Sequence, residues 1–332
     1  VLQFQSHSYK LVAIVPRILK GTTTMNVRIS LVLVVALTLS LEAYAQNRQK
    51  KPANYPPQLD GAQVEVYKKV GDVELNIYIY NPVDHKPSDQ RPVAVFFFGG
   101  GWKSGTPGQF EQHCKYLASR GMVAMTADYR VSSRHGTKAK ECVADAKSAI
   151  RWVRHESKRL GVDPNRVVAG GGSAGGHIAG CTGVIAGFEE SGEDLTISSK
   201  PNAMALFNPA LVLAQVNGED PLPEDKASTL LDRMGVDPKA LSPYHHVKAG
   251  VPPTIIFHGQ GDTTVPYRTV EHFTEAMKKT GNRCELIGYE GQPHGFFNYG
   301  RSENKYFESA LAALDSFLVS LDYLKGESTV GQ

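Results

Sequence analysis

The sequence predicts a single α/β domain: a mostly parallel central sheet with helices on both faces, opened by an antiparallel hairpin. Three observations carry that expectation. Val93 to Phe98 is a continuous apolar run, as a strand buried on both faces requires. Beyond it, short apolar runs alternate with stretches of helical periodicity as far as Leu324, which implies right-handed crossovers onto parallel strands. No internal repeat and no second core interrupt the alternation.

The elements follow in order. Residues 46–62 form a polar, proline-rich linker, and the domain proper runs over 63–326. Val64–Val70 and Val73–Tyr80 alternate apolar and polar residues across Gly71-Asp72, the pattern of a hairpin. After the strand at 93–98, Phe110–Arg120 reads as helix and Met122–Ala127 as strand. Cys142–Leu160 reads as one long helix, with Val143, Ala146, Ile150 and Val153 on one stripe. A strand at Val167–Ala169 leads to a helix after Ser173. Strands at Met204–Phe207, Thr254–Phe257 and Glu285–Tyr289 and helices at Val270–Lys279 and Tyr306–Leu324 complete the series. Residues 209–250 break the rhythm as an insertion, with an acidic, proline-rich patch at Gly218–Asp225 and a short helical pattern at Ser228–Met234. Connections of that length often serve as lids or binding loops.

With 41% hydrophobic and 21% charged residues over 332 positions, the chain can bury a large core, which excludes disorder, collagen and coiled coil. The net charge of +3 comes from the first 45 residues, which hold four Lys/Arg and one Glu; the remainder is balanced at 32 of each sign. No basic run or stripe is present, so nucleic acid is not an expected partner.

Those first residues read as a leader. Met25 and Arg28 precede a thirteen-residue, almost wholly apolar run, Ile29–Leu41, and Ala43-Tyr44-Ala45 fits a signal-peptidase site. The run is too short to span a bilayer as a helix. The expectation is an upstream extension at 1–24, a signal peptide at 25–45, cleavage near Ala45, and an exported mature chain without stable membrane association. Cys114, Cys142, Cys181 and Cys284 show neither CxxC pairing nor zinc-ligand spacing, so buried thiols are expected and no metal is implied.

The chemistry concentrates in four loops. Gly170-Gly171-Gly172-Ser173-Ala174-Gly175-Gly176 lies between a predicted strand and helix and contains Gly-x-Ser-x-Gly. A sharp strand-to-helix turn exposes such a serine, and the helix N-terminus behind it favours developing negative charge. A hydroxyl needs a base, and a base needs an orienting acid. After the strand at 254–257 the chain reads His258-Gly259-Gln260-Gly261-Asp262, and after the next strand Gly291-Gln292-Pro293-His294-Gly295-Phe296. Ser173 is therefore the candidate nucleophile, Asp262 the acid and His294 the base, in the order this strand-turn-helix arrangement requires. A single histidine among eleven is more often structural; three matches in order, each after a predicted strand, outweigh that reading. Phe98-Gly99-Gly100-Gly101-Trp102 follows the 93–98 strand, and Gly100 and Gly101, with Ala174, are the candidate oxyanion donors. Trp102 and Phe296 are candidate substrate contacts.

These residues carry a resemblance. The chain resembles α/β-hydrolases of the esterase and lipase group over about Val64–Leu324, near the hormone-sensitive-lipase-like enzymes and an exported carbohydrate-esterase-like branch described as acetylxylan or feruloyl esterases. Further matching segments are Ala127-Asp128-Tyr129-Arg130, Asp145–Val153 and Asp163-Pro164-Asn165-Arg166. Where that group commonly has His-Gly-Gly-Gly, this chain has Phe98, which alters the support of the loop but leaves its backbone donors. Asp128, Arg130, Asp145, Trp152 and the His245-His246 pair read as structural. The resemblance implies cofactor-free ester hydrolysis through an acyl-enzyme, on a small-molecule ester or an acetyl or feruloyl ester of polysaccharide. Two other readings stand beside it. A prolyl-oligopeptidase-like peptidase shares the pattern at His258–Pro266, and some domains of this architecture are non-catalytic binding modules.

Overall fold

The computed structural model describes residues 55–222 and 224–331. The expected extension at 1–24, the leader at 25–45 and most of the linker lie outside the described residues.

The chain from Pro56 onward folds around an eight-stranded sheet in the order β1-β2-β4-β3-β5-β6-β7-β8. The hairpin is β1 (Gln63–Val70) and β2 (Val73–Tyr80), antiparallel to each other, and β2 alone joins the rest of the sheet, antiparallel to the strand at Val123–Ala127. The six strands β3 (Arg91–Phe97), β4 (Val123–Ala127), β5 (Val162–Gly172), β6 (Ala203–Phe207), β7 (Thr254–Gly259) and β8 (Cys284–Tyr289) pair in parallel. Alternate residues of β3 enter opposite cores. Val93, Val95 and Phe97 pack with Val143, Ile150, Ile178, Val270 and Phe273, whereas Ala94 and Phe96 pack with Leu117, Leu311, Leu314 and Phe317. The two-sided burial read from the apolar run is thus a consequence of period-two side chains between two helical layers. Helices α1 (Glu111–Ser119) and α9 (Lys305–Val319) cover one face. The other carries α3 (Ala139–His155), α5 (Ala174–Val184) and α8 (Tyr267–Lys279).

Four features differ from the sequence expectation, three of them for a local reason. Alternation fails in β1, where a register shift between Val66 and Lys68 buries Tyr67 and Lys68 in succession. Tyr67 donates to the Asp128 carbonyl at 2.7 Å, and Lys68 reaches Asp145 at 2.6 Å. The bulge therefore turns two adjacent side chains toward the same buried carboxylate region. The expected 142–160 helix breaks at Glu156, and the short α4 (Ser157–Leu160) ends on Gly161, whose φ of 64° reverses the chain into β5. β5 continues through the glycine run to Gly172, because those residues pair with β3 and β6 rather than turning. The last helix stops at Val319, short of the expected Leu324.

Within the 209–250 insertion, the helical pattern becomes two short pieces, α6 (Glu224–Ala227) and α7 (Leu230–Met234), followed by 3-10 turns at Pro238–Leu241 and Pro243–His246. A further short helix, α2 (Ser132–His135), follows β4. His245 contacts the Ser242 hydroxyl and the Gln215 carbonyl, and His246 the Lys239 carbonyl, so both rings tie the insertion together. The four cysteines are buried free thiols.

Candidate active site

Every loop singled out in the sequence leaves the C-terminal end of a parallel strand, so five strand ends converge on one place. Ser173 follows β5 with φ 54° and ψ −116°, a strained conformation for a residue with a Cβ. Its N–H donates to the Phe207 carbonyl at 2.8 Å, which anchors the turn to the end of β6. The turn also depends on Gly175, where a Cβ would run into the carbonyl oxygens of Phe97 and Phe98. Trp102 and Asn208 beside it also have positive φ, at 59° and 43°. Strain therefore collects around Ser173.

His294, in the loop after β8, places Nε2 at 2.9 Å from the Ser173 hydroxyl. Its Nδ1 lies 2.6 Å from Oδ2 of Asp262, in the loop after β7. Asp262 is buried and collects further donors. Oδ1 accepts from the N–H groups of Thr264 at 2.8 Å and Val265 at 2.9 Å, and Oδ2 lies 3.3 Å from both His258 Nε2 and Asn208 Nδ2. Burial pushes the Asp262 carboxyl up, but the bonds from His258, His294 and Val265 outweigh it and hold the group far below the ordinary carboxylate range. An ionised acid in that position orients the imidazole with Nδ1–H toward itself and leaves Nε2 free to accept the serine proton.

The loop after β3 closes the site. Gly100 and Gly101 take φ of 124° and 63°, and a Cβ on Gly100 would strike the Ser104 carbonyl. The N–H of Gly99 is taken by Gln109 Oε1 at 2.6 Å. Gln109 Nε2 in turn donates to Asn298 at 2.8 Å, and Asn298 to the Gly295 carbonyl at 2.8 Å, so a side-chain relay joins the glycine loop to the histidine loop. Phe98, in the place of the family's histidine, stacks on Tyr129 at 4.2 Å, and the Tyr129 hydroxyl donates to the Phe98 carbonyl at 2.7 Å. The loop is thus supported by an aromatic pair and a phenol instead of an imidazole.

A cavity of about 580 Å³ opens over Ser173 and His294, lined by the glycine loop, Trp102, Phe297 and, from the insertion, Leu222, Leu230 and Arg233. Trp102 lines it, with its indole N–H engaged, donating to His177 Nδ1 at 3.1 Å. That bond leaves His177 Nε2 to donate to the Leu241 carbonyl at 2.7 Å, and burial holds the ring neutral, with its pKa lowered to about 4. Phe296 does not line the cavity. It is 2% exposed and packs on Tyr289 at 4.5 Å and Tyr306 at 6.2 Å, while its neighbour Phe297 faces the site. The sequence placed an aromatic in this loop; which of two adjacent rings points inward depends on the turn after His294.

Residues 76–277 match the BD-FAE family. The chain belongs to that family. Residues 238–326 also match the dienelactone hydrolase family, over the part that carries the acid and the histidine. Thermogutta terrifontis esterase 2, solved phosphonylated by sarin, is 56% identical with a TM-score of 0.80, covering 82% of this chain and 100% of its own. The α/β-hydrolase fold is therefore that of a known esterase. A probable isoprenylcysteine alpha-carbonyl methylesterase of Oryza sativa subsp. japonica is 30% identical over 69% of this chain and 56% of its own length. Esterase LipC of Mycobacterium tuberculosis is 28% identical over 63% and 54%. The chain spans about half the length of the curated relatives it matches.

For this BD-FAE chain, three site residues escaped the sequence reading. Gln109 lies just before the segment read as helix, in the 3-10 turn Pro107–Phe110, and nothing in its spacing marks it. Asn208 is the first residue after β6, so the rule that site residues follow strands could have found it. His258 stood in the quoted motif and reads as part of the turn until its Nε2, 2.9 Å from the Val265 carbonyl and 3.3 Å from Asp262, is seen to brace the acid loop.

Proposed function

We propose that the chain is a carboxylesterase acting through an acyl-enzyme on Ser173. The observation that carries the reading is the unbroken series from the Ser173 hydroxyl to His294 to Asp262, at 2.9 Å and 2.6 Å. His294 takes the proton of Ser173 as Oγ attacks the ester carbonyl. The tetrahedral oxyanion is met by the N–H groups of Gly100, Gly101 and Ala174 at the start of α5. His294 then protonates the departing alcohol, and a water activated by the same nitrogen releases the acid. Each oxyanion donor is worth about 2.7–4 kcal/mol in the transition state.

Short acyl chains suit the site best. Thermogutta terrifontis esterase 2 has been solved with propionate and with butyrate bound, and phosphorylated by paraoxon. The apolar lining from Phe297, Leu222, Leu230 and Val265 supports the same preference here. An acetyl or feruloyl ester of polysaccharide, met after export and cleavage near Ala45, is the natural substrate this reading favours. Turnover of 4-nitrophenyl acetate and butyrate by protein beginning at Gln46, beside Ser173→Ala, tests the chemistry. Treatment with paraoxon followed by peptide mass spectrometry tests the nucleophile, and an adduct on any residue other than Ser173 would overturn the assignment. Release of acetate from acetylated xylan, release of ferulate, and the N-terminal mass of exported protein test the substrate and the compartment.

A further inference from the structure

The cavity over Ser173 is lined by two arginines, Arg233 and Arg301, and by no Asp or Glu among the described residues. Arg233 comes from α7 in the insertion. Its Nη2 donates to the Gly101 carbonyl at 3.0 Å, and its guanidinium lies 5.1 Å from the Trp102 ring. Nearby acids are engaged elsewhere: Asp232 with Lys138 and Glu219 with Arg268. Other buried arginines are saturated. Arg130 has Asp145 and Glu190, Arg151 has Glu189 and Glu193, and Arg154 has three oxygen acceptors from Pro164, Ser198 and Asn202. Arg233 has one carbonyl and a ring face, and its remaining donors have no protein partner among the described residues. Burial lowers its pKa, the mark of a cation that water solvates poorly. Arg301 stands across the site, exposed, with Nη1 3.3 Å from the His294 carbonyl.

A half-buried guanidinium without an anion is costly unless something completes it, and a carboxylate completes it with two parallel hydrogen bonds. We propose that the site selects esters bearing a carboxylate, which Arg233 binds while Arg301 adds attraction at the mouth. The inference rests on the esterase reading and names its substrate class: half-esters of dicarboxylic acids, or esters whose alcohol part is an organic acid. The apolar wall accepts the carbon chain, and the arginines determine what sits at its far end.

Two matched pairs test this in the full-length protein. On the acyl side, 4-nitrophenyl butyrate is compared with mono-4-nitrophenyl succinate; on the alcohol side, phenyl acetate with 4-acetoxybenzoate. The quantity read is the anionic-to-neutral ratio of kcat/KM. In at least one pair Arg233→Gln lowers that ratio by about tenfold or more, Arg233→Lys restores part of it, and added salt lowers it in the unsubstituted protein. A ratio unchanged in both pairs overturns the proposal, even if absolute rates fall, since a uniform loss would assign Arg233 only to holding Gly101. Succinate binding to Ser173→Ala, measured by calorimetry with and without Arg233→Gln, decides the anion site independently of turnover. Binding equal in the two proteins overturns it; failure of the unsubstituted protein on both neutral esters would instead fail the esterase reading.

Discussion

Asn208 Nδ2 lies 3.3 Å from Oδ2 of Asp262, the oxygen that also receives His294. The other end of the same amide accepts the N–H of Gly295 at 3.1 Å, and its backbone N–H donates to the Phe257 carbonyl at 2.8 Å. One buried side chain at the end of β6 therefore ties the acid loop to the histidine loop.

Asn208→Ala removes that tie without touching a reacting atom. The expected result is a fall in kcat of about tenfold to a hundredfold, with KM little changed, because misplacement of a positioned base costs on that scale. Steady-state kinetics on 4-nitrophenyl butyrate measure it, and equal losses in an unrelated surface variant would remove the explanation.

Ser173→Ala and Asp262→Asn test the proton path itself. Loss of the hydroxyl is expected to lower kcat by roughly four to six orders of magnitude, and loss of the carboxylate by about four. Both proteins should keep the melting temperature of the parent within a few degrees, read by calorimetry beside the rates.

His113 is an odd core residue. It is fully buried among Phe96, Phe110, Phe207, Phe297 and Phe307, with no hydrogen-bond partner on either ring nitrogen among the described residues. Burial holds its pKa down to about 3, against about 6.5 for a free imidazole. As pH falls below about 6.5 the unfolded chain takes the proton and the folded chain does not, so stability is lost from there toward pH 3. His177, lowered to about 4, adds to the same slope. His113→Phe should raise stability by about 1 kcal/mol or more at neutral pH and flatten the decline. Urea midpoints between pH 7 and 4.5 would show it; a variant as acid-sensitive as the parent would count against this account.

Asp145 offers the opposite case. It is fully buried and bridges Arg130 at 2.7 Å and Lys68 at 2.6 Å. Asp145→Ala leaves these two cations to share the partly exposed Glu190 alone and should cost about 3 kcal/mol, seen as a shift of the urea midpoint with activity retained in the folded fraction.

Much of this was legible in the chain because the signals were local. The apolar run of β3, the glycine-flanked Ser173 and the loops carrying Asp262 and His294 each declare themselves within about ten residues. What stayed hidden depends on distance or direction. The bulge at Tyr67 answers to Asp128 and Asp145, more than sixty residues away. The relay through Gln109 joins Gly99 to Asn298, which lies 189 residues beyond Gln109. Phe296 and Phe297 are equivalent in sequence and differ only in the side to which the turn sends them.

The strand that leads into His294 is β8, and it lies at the sheet's edge with β7 as its sole sheet neighbour among the described residues, whereas Ser173 follows the interior strand β5. On warming, fraying is therefore expected to reach the base before the nucleophile. Withdrawal of the imidazole from an otherwise intact sheet should then end turnover of 4-nitrophenyl butyrate below the melting temperature, with recovery on cooling, which activity and calorimetry on the same temperature ramp would show.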